Sequence, residues 1–154
     1  MLCRNYFAVQ GVEHCFTVSL SVKALDQWIK TGRVMTASSP EKLLFVCSRN
    51  RWRSLTAEKL FEGSPRYQVR SAGTQPNARI VVNAGHIGWA DTIFCMEKSH
   101  MDRLRRKFPE AIRGKRLICL HVRDEFEFMD PDLLDEFKGK LAPYVTFQGE
   151  DFNV

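Results

Sequence analysis

The sequence predicts an α/β fold of three layers: a four-stranded parallel sheet with helices on both faces. Two observations predict it. Short apolar runs alternate four times with segments of helical period over roughly 100 residues. The runs are also largely continuous in apolar residues, as in strands covered on both faces.

The elements follow in order. Leu43–Val46 is an apolar run after Lys42 and reads as a buried strand. Ser54 to Phe61 places Leu55, Ala57, Leu60 and Phe61 at helical spacing, and Gly63 and Pro65 stop it. Tyr67–Arg70 alternates and runs into a turn at Ser71-Ala72-Gly73-Thr74. Ile80 to Trp89 reads as a short helix, and Thr92–Met96 as a buried strand. Ser99 to Phe108 sets Met101, Leu104 and Phe108 on one face before Pro109. Leu117–Val122 is the last strand. Asp130-Pro131 then opens a helix whose stripe is Leu133, Leu134, Phe137 and Leu141, with Asp130 as its cap. Three divisions result: an extension over 1–41, a domain over 42–145 and a tail over 146–154. In the extension, Val22, Leu25, Trp28 and Ile29 predict one short helix, and Thr36 to Pro40 a linker. Met35 is an alternative start, so a chain beginning there is expected to keep the fold.

Composition narrows the class. With 154 residues, 44% hydrophobic and 27% charged, the chain suits one globular domain with an appendage and excludes wholesale disorder. No apolar run is long enough to predict a membrane span, and the first residues do not read as a signal peptide. Five cysteines without CxxC spacing predict neither a disulfide framework nor a metal site. The expected compartment is therefore the reducing cytoplasm, where a special cysteine is special as a thiolate.

Charge is unevenly divided. Residues 42–123 carry 17 basic and 6 acidic residues, a net +11, whereas 124–136 carry seven acidic residues and no basic ones. A basic body suits an anionic ligand. In open parallel sheets ligands bind beyond the carboxyl ends of the strands, so the places to search follow Val46, Arg70, Met96 and Val122.

After Val46 stands Cys47-Ser48-Arg49-Asn50-Arg51-Trp52-Arg53-Ser54, leading into a helix. A loop wrapping from strand to helix can turn successive N–H groups into one concavity, and the helix N-terminus adds partial positive charge. Residues 48–53 are the expected phosphate cradle: Ser48, Arg49, Asn50, Arg51, Trp52 and Arg53. Arg53 can grip two phosphate oxygens at once. The same field favours the Cys47 thiolate, and the Ser54 hydroxyl can donate to it.

Cys47 to Ser54 resembles the phosphate-binding loop of the low-molecular-weight protein tyrosine phosphatases, C-x-x-N-x-x-R-S. Asn50 matches the asparagine that holds that loop in its strained turn. Thr56-Ala57-Glu58, Ser71-Ala72-Gly73-Thr74 and the strand around Asp91, Ile93 and Met96 are similar to the family's segments in the same order. Val122-Arg123-Asp124-Glu125-Phe126 resembles the late loop that carries the family's general-acid aspartate, with Glu125 and Phe126 in place of proline and tyrosine. Arg49 stands where many members have glycine, Trp52 where many have a second cysteine and Leu55 where proline is usual. The chain also looks trimmed between the second and third strands, like short bacterial members. The resemblance spans about residues 42–142 and implies a four-stranded parallel sheet.

The resemblance implies a phosphatase for phosphate monoesters, above all phosphotyrosine in proteins, with Cys47 as nucleophile, Arg53 as phosphate clamp and Asp124, with Asp130 as the alternative, as proton donor. Phe126 is the expected pocket wall, with Phe128 either beside it or in the core. No cofactor is implied. The expected partner is a phosphorylated protein or a small phosphate monoester, and neither nucleic acid nor membrane. Two alternatives stand: arsenate-reductase-like thiol chemistry, and an inactive phospho-ligand or RNA-binding module. The first needs reactive relay cysteines, whereas Cys95 and Cys119 lie within apolar strands. The histidines at 86, 100 and 121 lack ligand spacing, and Arg103 to Lys107 reads as a solvated helix face.

Overall fold

The computed structural model describes residues 39–147. Four strands, β1 (Glu41–Cys47), β2 (Tyr67–Gly73), β3 (Thr92–Cys95) and β4 (Arg116–Cys119), alternate with helices. These are α1 (Arg53–Leu60), α2 (Ala84–Trp89), α3 (Lys98–Lys107), α4 (Pro109–Ile112) and α5 (Pro131–Leu141). The sheet order is β2-β1-β3-β4 and all three pairings are parallel. The expected helix around Val22 to Ile29, most of the Thr36–Pro40 linker and the tail beyond Phe147 lie outside the described residues.

β1 is the centre. Leu43, Leu44, Phe45 and Val46 are fully buried, and their alternation sends side chains to opposite faces. Leu43 and Phe45 pack with α1 and α5 through Ala57, Leu60, Leu133 and Phe137. Leu44 and Val46 pack with Ile87 of α2 and Leu104 of α3 on the other face. Phe45 stacks on Phe61 and Phe94, with ring centroids 5.9 and 5.1 Å away. Three layers result, as the pattern of apolar residues predicts.

Several boundaries differ from the sequence reading for local reasons. β2 runs on through Ser71, Ala72 and Gly73, because these pair with Phe45, Val46 and Cys47; the turn begins only after Gly73. The helix expected from Ile80 starts at Ala84. Ile80 and Val82 are held beside β2 by Gly73 N–H donating to the Ile80 carbonyl and Val82 N–H to the Gly73 carbonyl. Asn83 then caps α2 in a reciprocal box with His86. Pro109 ends α3 as expected and then serves as the first residue of α4, where its missing N–H costs nothing. β4 ends at Cys119 rather than Val122, since His121 takes φ 53° and breaks the pleat. Leu120 and Val122 still donate to the carbonyls of Cys95 and Met96.

β1 connects to β2 on one side, and the chain returns to β3 on the other. That reversal opens a crevice at the carboxyl ends of the strands. Among the described residues no helix is long and apolar enough to cross a membrane. Asp130 caps α5, its side chain accepting from the Asp132 N–H at 3.0 Å, with Pro131 at the first helical position. Asp130→Ala is expected to lower stability by about 1 kcal/mol in urea unfolding and to leave the crevice chemistry unchanged.

Candidate active site

The crevice gathers the ends of all four strands. Cys47 ends β1, Ser71 to Gly73 end β2, Glu97 follows β3 and Asp124 follows β4. Cys47, Ser48, Arg49, Arg51, Trp52, Arg53 and Asp124 line one pocket. The structure thus brings Cys47, Arg53 and Asp124 to one pocket.

The loop is shaped from outside. The carbonyls of Cys47, Ser48 and Arg49 accept from the N–H groups of Thr74, Gln75 and Arg79 at 2.9, 3.0 and 3.0 Å. The Asn50 carbonyl accepts from Arg79 Nε at 3.2 Å. Carbonyl and N–H point oppositely across a peptide plane, so turning the carbonyls outward turns the loop amides toward the concavity, an anion nest. Gly73 is required for this approach, because a Cβ there would lie 2.5 Å from Ala78 Cβ and 2.7 Å from the Ser48 carbonyl oxygen.

Asn50 adopts φ 54°, the left-handed region that asparagine tolerates better than most residues. Its side chain is fully buried and donates Nδ2–H to Ser54 Oγ at 2.9 Å and Ser71 Oγ at 2.7 Å. Ser71 passes its own proton to Glu58 Oε2. Ser54 Oγ, already accepting from Asn50, lies 3.0 Å from Cys47 Sγ and has its proton left for the sulfur. The Asn50 N–H donates to the same sulfur at 3.1 Å. Ser54, expected to serve the thiolate, thus lies within hydrogen-bond distance of the sulfur. No side chain caps the start of α1, which leaves its first amides facing the pocket.

Arg53 is 2% exposed. Its Nη1 donates to Glu97 Oε1 at 2.6 Å and to the Val122 carbonyl at 2.8 Å. Its Nη2 pairs with Asp124 Oδ1 at 2.8 Å. The hydrogen bond from Arg53 holds the Glu97 carboxyl below its ordinary range. Two carboxylates therefore meet the guanidinium, Asp124 at the pocket and Glu97 outside its lining.

Sequence reasoning missed Glu97 and His100. Glu97 directly follows the third strand, where the carboxyl-end rule points; His100 sits three residues on, one turn into α3. The His100 ring is 1% exposed. Its Nδ1 accepts from the Glu97 N–H at 3.1 Å, so the proton sits on Nε2 and is donated to Ser48 Oγ at 2.8 Å. Burial pushes His100 down to about 4, with Arg53 and Arg103 adding to the shift and the Glu97 and Asp124 carboxylates opposing it.

Phe126 is a correction. It lies half-buried against the core cluster of α1 and α5 rather than in the pocket, because its backbone has already turned toward α5. Phe128 is exposed. The aromatic side chain at the pocket is Trp52, 47% exposed. Cys95 is buried and its thiol is pushed up to about 12, chiefly by desolvation. Neither Cys95 nor Cys119 lines the pocket.

No family model matches the chain. A protein-arginine-phosphatase of Geobacillus stearothermophilus is 28% identical over 135 residues, spanning 72% of this chain and 88% of the relative. Among solved structures, the tyrosine phosphatase Wzb from Escherichia coli K30, in complex with phosphate, superposes with a TM-score of 0.55 at 19% identity over 68% of this chain and 95% of that one. The low-molecular-weight protein tyrosine phosphatase from T. tengcongensis gives 0.53 at 19% identity over 68% and 99%.

His100 also makes the fold sensitive to acid. A buried imidazole with a depressed pKa stays neutral while the unfolded chain takes up a proton. Its stabilisation is thus complete above about pH 6.5 and is lost as pH falls toward 4. Between pH 7 and 5 the loss is about 2 kcal/mol. In urea titrations, His100→Gln is expected to lose correspondingly less stability over that interval; equal pH slopes for the two proteins would refute the assignment.

The chain thus shares the fold of the low-molecular-weight protein tyrosine phosphatases and is similar in sequence to a protein-arginine-phosphatase.

Proposed function

We propose that the chain removes phosphate from phosphorylated protein side chains, phosphotyrosine first among them, through a cysteinyl-phosphate intermediate. The observation that carries this reading is the convergence on one pocket of Cys47 Sγ, the outward-pinned loop and the Arg53–Asp124 pair at 2.8 Å. Cys47 Sγ attacks phosphorus, an S–P bond forms, and the bond to the leaving oxygen breaks. The loop amides and Arg53 hold the three equatorial oxygens as charge redistributes. Glu97 and the Val122 carbonyl keep Nη1 fixed, so the fork is already oriented when phosphate arrives. Asp124, protonated once phosphate takes its place on Arg53, gives its proton to the leaving oxygen. It then takes one from the water that cleaves the S–P bond, releasing inorganic phosphate and the thiolate.

A second reading, phosphoarginine, is favoured by one observation. Asp124 presents an exposed carboxylate at the pocket wall, and a guanidinium leaving group would meet it with opposite charge. The relative from Geobacillus stearothermophilus is named for that activity. Relative kcat/KM on phosphotyrosine and phosphoarginine peptides separates the two.

Hydrolysis of p-nitrophenyl phosphate tests the core of the proposal. Cys47→Ser is expected to abolish turnover. Arg53→Lys keeps the charge but loses the fork, and should cost about a hundredfold or more in kcat. Near-normal turnover by Arg53→Lys would mean that this loop is not the phosphate cradle.

Asp124 is tested by leaving group. A stabilised phenolate departs without a proton, whereas tyrosine does not. Asp124→Asn is therefore expected to slow phosphotyrosine by about 10²–10⁴-fold and p-nitrophenyl phosphate far less. Equal losses on both would assign the proton transfer elsewhere.

A further inference from the structure

The face of α3 beside the pocket carries a cluster of cations that the proposed chemistry does not use. Arg103, Arg106 and Lys107 stand at i, i+3 and i+4 and so share one face. They form a shallow groove with Thr74. The groove adjoins the nucleophile: Arg103 Nη1 reaches Thr74 Oγ1 at 3.5 Å, and the Thr74 N–H donates to the Cys47 carbonyl at 2.9 Å. Arg49, whose Nε donates to Gln75 Oε1, and the exposed Arg51 continue the positive surface to the mouth.

A basic helix face is most often merely solvated, and cations in the last turn suit the helix dipole. Two features set this one apart. The one acidic residue of α3, Asp102, pairs with Arg105. Arg103, Arg106 and Lys107 therefore have no carboxylate within salt-bridge distance among the described residues, and as like charges on one face they repel. Asp124 lines the mouth, and the segment it opens stays acidic on balance, with Glu125 paired to Arg123 and Glu127 exposed. Such a bipolar rim sets the direction of an approaching charged chain.

We infer that Arg103, Arg106 and Lys107 with Thr74 form a second anion subsite, which holds carboxylate side chains neighbouring the phosphorylated residue of a protein substrate. This rests on the phosphatase reading above and adds a substrate class to it: phosphoproteins with acidic flanks. Protein carboxylates suit the groove better than nucleic acid. The groove is short, and a polyanion crossing the mouth would run on to Asp124 and Glu125.

The test compares wild type with Arg103→Glu/Arg106→Glu and the milder Arg103→Ala/Arg106→Ala. The substrates are p-nitrophenyl phosphate and phosphopeptides of whichever class, tyrosine or arginine, the wild type hydrolyses faster. The peptides carry two aspartates before the phosphoresidue, two after it, or asparagines instead. The wild type is expected to show a KM about tenfold lower for one of the acidic peptides than for the asparagine peptide. The charge-reversal variant should lose that difference with kcat on p-nitrophenyl phosphate unchanged, the alanine variant should lose part of it, and 0.5 M salt should erase it in the wild type. Equal KM values for acidic and neutral peptides in the wild type would overturn the subsite. So would a variant that loses affinity for a single-stranded RNA oligonucleotide while its peptide KM values stay put, which would mark a nucleic-acid surface instead. A wild type inert on p-nitrophenyl phosphate would instead sink the phosphatase reading itself.

Discussion

Four successive carbonyl groups, from Cys47 to Asn50, are turned outward by donors from the segment 74–79. Everything at the pocket depends on that constraint. A chain leaving a strand for a helix has no intrinsic reason to aim its amides at one point; here a neighbouring segment draws the carbonyls the other way. The neighbour can do so only because β2 lies beside β1 in register to Cys47↔Gly73, and because a residue without a side chain stands at 73. Packing of the sheet thus becomes the shape of an anion nest.

The second constraint is electrostatic. A guanidinium at 2% exposure is costly unless its charge and its donors are met. Glu97 meets the charge from the β3 side and the Val122 carbonyl takes a donor from the β4 side, so the ends of two strands share in fixing one side chain. The pairing with Asp124 brings a residue 77 positions from Cys47 into the same pocket.

Much of this was legible in the sequence. The continuous apolar runs announce the sheet. The cysteine and arginine at the two ends of a strand-to-helix loop point to the pocket, because of that context rather than their spacing alone. Asp130 before a proline is read correctly as a cap, which leaves Asp124 for the pocket. Other features were hidden because they exist only in three dimensions. Glu97 and His100 carry no motif, and their meaning comes from β3 lying next to β1. Phe126 was assigned to the pocket by linear neighbourhood to Asp124, but the chain turns within two residues and the ring goes to the core. The aromatic at the mouth, Trp52, sat inside the loop and was read there only through its backbone.

The order of the strands also bears on how the molecule comes into being. β1, which ends in Cys47, must wait for β3, paired to it across 49 residues from Leu43 to Thr92. Such pairings close long loops before any contact repays the lost entropy, and parallel sheets assemble slowly for that reason. Arg53 gains its contacts with Val122 and Asp124 only when the segment 122–124 has joined. On the ribosome, a nascent chain that has exposed its cysteine loop but not its last strand possesses a thiol without the surroundings that direct it. Reactivity in this architecture arrives late, after the sheet has closed.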